Sequence, residues 1–304
     1  MHFCSYGQDF DEDFTYIFII INLCESVYLD QDHDWQNLSN LGENMSDFPQ
    51  RIVCITEEAV EFLFAIGEAH RVVGVSAYVQ RPKEAKKLPK VSAFINGSTK
   101  KIKALDPDLV LGFSDIQKDL AKDLIGEGLN VFIANHRSID GIFNYMKMLG
   151  NLVGKEKETR AYLKELRSKI DMAKDFSKTL DRRPSFYIEE WDEPRITGIE
   201  WFSEIVELCG GKNVFHDRSN SPMAKDRYVD DKEVIEKNPD FILACWCGKE
   251  VDIASIKDRL GYSGIGAVKN KRVIELRPEI FLQPGPAPIV SGIDQIIEIF
   301  KDFK

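Results

Sequence analysis

Between Lys155 and Leu180 the apolar side chains fall at Tyr162, Leu166, Ile170, Ala173, Phe176 and Leu180, three or four apart, with charges filling the gaps. This spacing lays one apolar stripe along a helix. Gly154 precedes the stretch, Pro184 follows it, and neither residue type lies inside it, so the pattern predicts one uninterrupted helix. At 1.5 Å per residue it would run about 40 Å, enough to cross a whole domain. Before this helix, apolar runs at 51–55, 72–75, 109–113 and 130–134 predict strands, and 56–66, 100–105, 115–126 and 139–152 predict helices. Thr56 is placed to cap the first helix and Gly67 to end it. After Pro184 the alternation restarts, with strands at 186–188, 241–245 and 272–276 and helices at 201–209, 232–237, 254–260 and 289–303. Repeated β-α alternation predicts an α/β fold with parallel sheets covered by helices.

The two sides of the long helix share local patterns. Ile102-x3-Asp106-Pro107-Asp108-Leu109-Val110-Leu111 matches Ile235-x2-Asn238-Pro239-Asp240-Phe241-Ile242-Leu243, and Glu61-x5-Gly67 matches Glu204-x5-Gly210 in the same order. The body therefore reads as an N-terminal α/β lobe at 51–150, a connecting segment at 151–183 and a C-terminal α/β lobe at 184–304.

Charge changes the picture only at the N-terminus. The chain carries −10 at pH 7, but residues 1–44 hold nine of its 50 acidic residues and none of its 40 basic ones, so the body is within one charge of neutrality. No basic footprint for nucleic acid is present. Tyr16 to Leu23 is apolar but too short to span a bilayer, and acidic residues precede it where a secretory signal needs basic ones. Residues 1–44 are read as a disordered or over-annotated extension, with Met45 as the natural start. The six cysteines show no disulfide framework, and Cys245-Trp246-Cys247 lacks the spacing of a zinc knuckle.

The stretch from Arg51 to Val91, with IKALDPDLVLGF, ELCGGKNVF and KNPDFILACWCGK at later intervals, resembles the cobalamin and iron-complex substrate-binding proteins of ABC importers, the helical backbone metal receptor superfamily. The resemblance covers about 50–304. It implies a class III periplasmic-binding-protein-like architecture, with two Rossmann-like lobes joined by a single long helix and a ligand held between them. Members of the family resemble one another in a surface Glu on each lobe that pairs with Arg of the permease. The matching positions here are Lys100 and Lys232, so both docking charges are reversed, which puts an ABC permease partner in question.

In open α/β sheets, ligands lie beyond the C-terminal ends of the strands. That rule selects Glu57, Glu58, Tyr78, Gln80, Phe113, His136 and Arg137 in the first lobe. In the second it selects Glu190, Trp191, Trp246, Arg277 and Phe281, with Arg218 and Met223 on the loop after Val214. Aromatic rings would cover a flat macrocycle or chelate, and arginines would meet its carboxylates or phosphate. The body offers only His70, His136 and His216, too few for a bare metal site. Catalytic glycine, serine and histidine motifs are missing from the sequence. The expected function is non-catalytic binding of a corrinoid such as cobalamin, a haem or a ferric chelate, by a monomer without intrinsic cofactor. The alternative is an enzyme or metal-insertion factor using Glu57, Glu58 and His136. The acidic N-terminal segment and the two lysines lead to the expectation of a cytoplasmic protein, with a periplasmic or lipid-anchored one as the alternative.

Overall fold

The computed structural model describes residues 47–93 and 95–303; the 1–44 extension lies outside them. Two sheets carry the chain. The first contains β1 (Ile52–Cys54), β2 (Val72–Ser76), β3 (Lys90–Ala93), β4 (Asn96–Gly97), β5 (Leu109–Phe113) and β6 (Val131–Ala134), in the order β4-β3-β2-β1-β5-β6. Its neighbours are parallel except β4, which folds back on β3. The second contains β7 (Ser185–Asp192), β8 (Arg195–Thr197), β9 (Lys212–Asn213), β10 (Phe241–Ala244) and β11 (Val273–Glu275), in the order β11-β10-β7-β8, with β9 also paired to β7. Only β8 is antiparallel.

The principal helices are α1 (Glu58–Ala65), α2 (Thr99–Lys103), α3 (Lys118–Gly126), α4 (Ile139–Leu152), α5 (Glu156–Ser177), α6 (Glu200–Leu208), α7 (Asp231–Lys237), α8 (Ile253–Lys257) and α9 (Ile293–Phe300). Thr56, expected to cap α1, does not do so. Its hydroxyl donates instead to Glu58 at 2.5 Å, and Glu57 occupies the cap without a side-chain bond.

The duplicated Pro-Asp motif does the same work in each lobe. Asp106 and Asn238 turn the chain with φ of +48° and +45°, in the left-handed region that short polar side chains tolerate. The aspartate after each proline then ties the start of the neighbouring strand. Asp108 accepts from the backbone of Gln50 and Arg51 before β1, and Asp240 from the backbone and hydroxyl of Ser185 at the start of β7. By this measure β1 corresponds to β7, and β5 to β10.

Helix α5 joins the two sheets without a break over 22 residues. It buries Thr159, Leu163, Leu166, Ile170 and Ala173, so the stripe is rotated slightly from the expected one, and Tyr162 and Phe176 sit at its margins. It lies so close to α4 that a Cβ on Gly150 would stand 2.0 Å from the Thr159 hydroxyl. One continuous apolar core runs from Ile52, Leu111 and Met146 through Leu166 and Ile170 to Phe202, Leu243 and Phe300. The lobes are thus held by shared packing as well as by a connector. No helix among the described residues is long and apolar enough to cross a membrane.

Candidate functional site between the lobes

The C-terminal ends of both sheets open onto one cavity of about 430 Å³. Glu57 and Glu58 enter it from the end of β1, Phe113 and Asp115 from β5, and Arg137 from the loop after β6. The second lobe contributes Glu190 from β7, Trp201 from α6, Met223 and Arg227 from the connection after β9, Cys247 beyond β10, and Leu282 and Pro284. The walls approach closely: a Cβ on Gly285 would stand 2.5 Å from that of Glu58, so a larger residue there would push the walls apart.

The first wall is fixed from behind. Gln117 is fully buried, accepts from the Phe113 backbone at 2.9 Å and donates to the Ile55 carbonyl at 3.2 Å, tying the ends of β1 and β5 together. Arg137 lies over the Phe113 ring at 5.1 Å and pairs with Asp115 at 3.1 Å. Trp201 meets the same ring edge-on, and its backbone N–H donates to the Arg137 carbonyl across the lobes at 2.9 Å. In the second wall Arg227 is 2% exposed and grips Glu190 with two bonds of 2.7 and 3.1 Å.

Burial sets the charge of this space. It raises the Glu57 carboxyl to about 8, helped by neighbouring Glu58 and opposed by the Gln283 amide. It raises Glu58 to about 7, against the hydroxyl of Thr56. Neither carboxyl forms an ion pair among the described residues, where Arg137 and Arg227 are already held by Asp115 and Glu190. Lys225, also on the wall, is exposed.

Of the residues expected at the site, Glu57, Glu58, Phe113, Arg137, Glu190 and Met223 line the cavity. The others stand elsewhere. His136 donates its Nε2–H to the Pro284 carbonyl at 2.7 Å and stacks on Tyr145, and burial lowers its pKa to about 4. Trp246 is buried and donates to Glu189, and Phe281 is buried against Phe202. Trp191 lies under Lys249, Arg218 pairs with Glu233, and Arg277 with Glu279. Tyr78 and Gln80 are exposed on the loop after β2. Lys100 and Lys232 are exposed on α2 and α7. Trp201, Arg227 and Cys247 also line the cavity, and none of them is among the residues expected there.

A larger trough of about 1030 Å³ lies between α4, α5 and α6, lined by Asp140, Arg167, Asp171, Lys174, Glu204 and Glu207 among others. It is open, its charges are mixed in sign, and its lining comes from helices rather than strand ends. No cluster of three or more metal-ligating side chains occurs among the described residues.

Two α/β lobes on one long helix, with a cavity where their strand ends converge, define a two-lobed solute-binding protein. The chain belongs to the periplasmic binding protein family, which it matches over residues 52–280. It is 28% identical over 274 residues to the uncharacterized ABC transporter substrate-binding lipoprotein YvrC of Bacillus subtilis, covering 87% of this chain and 84% of that protein. It is 28% identical over 199 residues to the vitamin B12-binding protein of Vibrio campbellii, covering 64% of this chain and 70% of that protein. Its structure is similar to that of a possible iron-binding, periplasmic solute-binding protein from Staphylococcus epidermidis, with a TM-score of 0.72, 25% identity, and 84% and 99% of the two chains covered. The chain is therefore a two-lobed solute-binding protein of that family. The expectation of a cytoplasmic protein is overturned, because these relatives include a lipoprotein and a periplasmic solute-binding protein. That expectation leaned on the charges of residues 1–44, which lie outside the described residues, and on two surface lysines that carry no information about compartment.

Proposed function

We propose that the interlobe cavity carries a metal-containing macrocycle, without transforming it, and that a corrinoid suits it better than a haem. The observation behind this reading is the pair Glu57 and Glu58, one partly buried and one buried carboxyl on the cavity wall, neither of them in an ion pair among the described residues. A haem brings two carboxylates; both cavity arginines are already paired, the exposed Lys225 is the one lining cation among the described residues left to meet them, and burying a further anion beside these acids is costly. A ring edged with carboxamides offers N–H donors that either form of a glutamic acid can accept. Phe113 and Trp201 lend the cavity an apolar wall. The curated B12-binding relative supports the same choice.

The enzyme reading keeps one observation in its favour, a Glu57 poised near neutral pH. It loses His136, whose hydrogen bond and packing hold it behind the wall. Titrating the purified protein with cyanocobalamin, haemin and a ferric siderophore, followed by tryptophan fluorescence, tests the proposal. A dissociation constant below about 1 μM for the corrinoid, and a weaker one for haemin, is expected. No binding tighter than about 100 μM, with turnover of any chelate, would transfer the site to the enzyme reading.

A further inference from the structure

The pattern Glu-x5-Gly occurs in corresponding places in the two lobes, at Glu61 on α1 and at Glu204 on α6. Each glutamate lies four residues before the end of its helix, and the glycine beyond carries a positive φ, +84° at Gly67 and +96° at Gly210. Three residues before each glutamate stand Glu58 and Trp201, and both line the cavity. A spacing of three puts two side chains on one face of a helix. The motif therefore places a carboxyl one turn behind the cavity wall in either lobe.

What each carboxyl reaches belongs to the other lobe. Glu204 accepts from the backbone N–H of Ile139, the first residue of α4, at 2.5 Å. The first N–H groups of a helix have no partner within it, and a carboxyl there also meets the positive end of the helix dipole. Glu61 accepts from Nη2 of Arg81 at 3.0 Å, and the same nitrogen donates to the Ser291 hydroxyl at 3.1 Å. Ser291 lies two residues before α9. Helices α4 and α9 are the last of their lobes, as α1 and α6 are the first principal ones. Each first helix is thus tied to the start of the opposite lobe's last helix, and the duplication relates the two ties. Burial raises the Glu204 carboxyl to about 7, against the Ile139 N–H, with Glu200, Asp140 and Glu207 adding to the rise. An acceptor in that place therefore works without a full charge.

We propose that Glu61 and Glu204 are positioning residues, a pair of clasps that hold the two cavity walls at one spacing and slow release of what the cavity holds. Neither lines the cavity. The apolar core shared by the lobes is non-directional and tolerates small sliding of one lobe on the other. A hydrogen bond is lost with a small change of distance or angle, so the clasps select one arrangement. The inference goes beyond the choice of cargo and holds for any.

The test uses the full chain with Cys4→Ser, Cys24→Ser and Cys247→Ser. Lys122→Cys on α3 and Lys257→Cys on α8, both exposed, then carry one spin label on each lobe. Electron–electron distances in the ligand-free protein read the spacing of the lobes. The parent should give one narrow distance. Glu204→Ala with Ser291→Ala should broaden it and add a second distance. Ser291→Ala alone, which removes one partly exposed hydroxyl, should show the same change in smaller measure. Glu204→Gln in place of Glu204→Ala keeps an acceptor for the Ile139 N–H and should restore most of the narrow distance. In a second measurement, with the native cysteines and cyanocobalamin as probe, dissociation should be about tenfold faster from the Glu204→Ala, Ser291→Ala protein than from the parent. Parent-like distances in that variant would overturn the clasps, as would a Glu204→Gln protein opened as far as Glu204→Ala. Changed distances with an unchanged dissociation rate would overturn the control of release. A parent that fails to bind cyanocobalamin would remove the corrinoid reading, and the distances would still decide the clasps.

Discussion

Glu58 is 2% exposed and has one hydroxyl, that of Thr56, to stabilise its charge. Its folded pKa of about 7, like that of about 8 for Glu57, lies well above the unfolded value near 4.3. A raised carboxyl pKa means that the native state holds its proton longer than the unfolded chain does. The stabilisation is complete below the unfolded pKa and is lost as pH rises through the folded one. The melting temperature of the ligand-free protein should therefore fall between about pH 5 and pH 8, and Glu58→Gln should flatten that fall. A melting temperature that rises over this interval, or an unchanged slope in Glu58→Gln, would contradict the burial argument. These two glutamates were legible in the sequence because they follow β1 directly. Cys247 was not, since exchanging Trp246 for Cys247 at the wall is a matter of one residue of strand alternation. Arg227 was hidden differently. Its position depends on β8 and the Ile196–Tyr228 bridge, and neither leaves a periodic signal.

Among the elements, the contact between α4 and α5 carries a conflict of two effects. Alanine favours a helix over glycine by about 1 kcal/mol, so Gly150→Ala would stabilise an isolated α4. Here the added methyl would stand 2.0 Å from the Thr159 hydroxyl and 2.8 Å from its Cβ, and neither helix can yield without disturbing the core around Leu149 and Leu163. Overpacking of this kind costs about 1–3 kcal/mol, so the clash should win. Chemical denaturation should show Gly150→Ala destabilised, with part of the loss restored by Thr159→Ala. A neutral or more stable Gly150→Ala would show the helices to be less closely fitted. The long helix was legible because its stripe and its flanking Gly154 and Pro184 agree. The edge strands β4 and β8 were not, because two or three residues carry too little alternation to be seen.

At the scale of the whole molecule, the duplication was readable from Asp106-Pro107-Asp108 and Asn238-Pro239-Asp240, since each aspartate is needed to start the neighbouring strand. The compartment was not, because surface charge does not encode it. Lys232 is exposed and 3.8 Å from Glu236, while neighbouring Glu233 is committed to Arg218 and to the cap of α7. Glu233 is thus not free to stand in for a docking carboxylate. If Lys100 and Lys232 meet acidic groups on a permease, Lys100→Glu with Lys232→Glu should weaken that complex by about tenfold or more, and unchanged affinity would exclude these residues from the interface.

The central claim is that the interlobe cavity holds the metal of the cargo. Crystals grown with cyanocobalamin and measured at the cobalt absorption edge locate that metal directly. One anomalous peak is expected inside the cavity bounded by Glu57, Trp201 and Cys247. A peak in the trough between α4, α5 and α6, or none at saturating ligand, would contradict it.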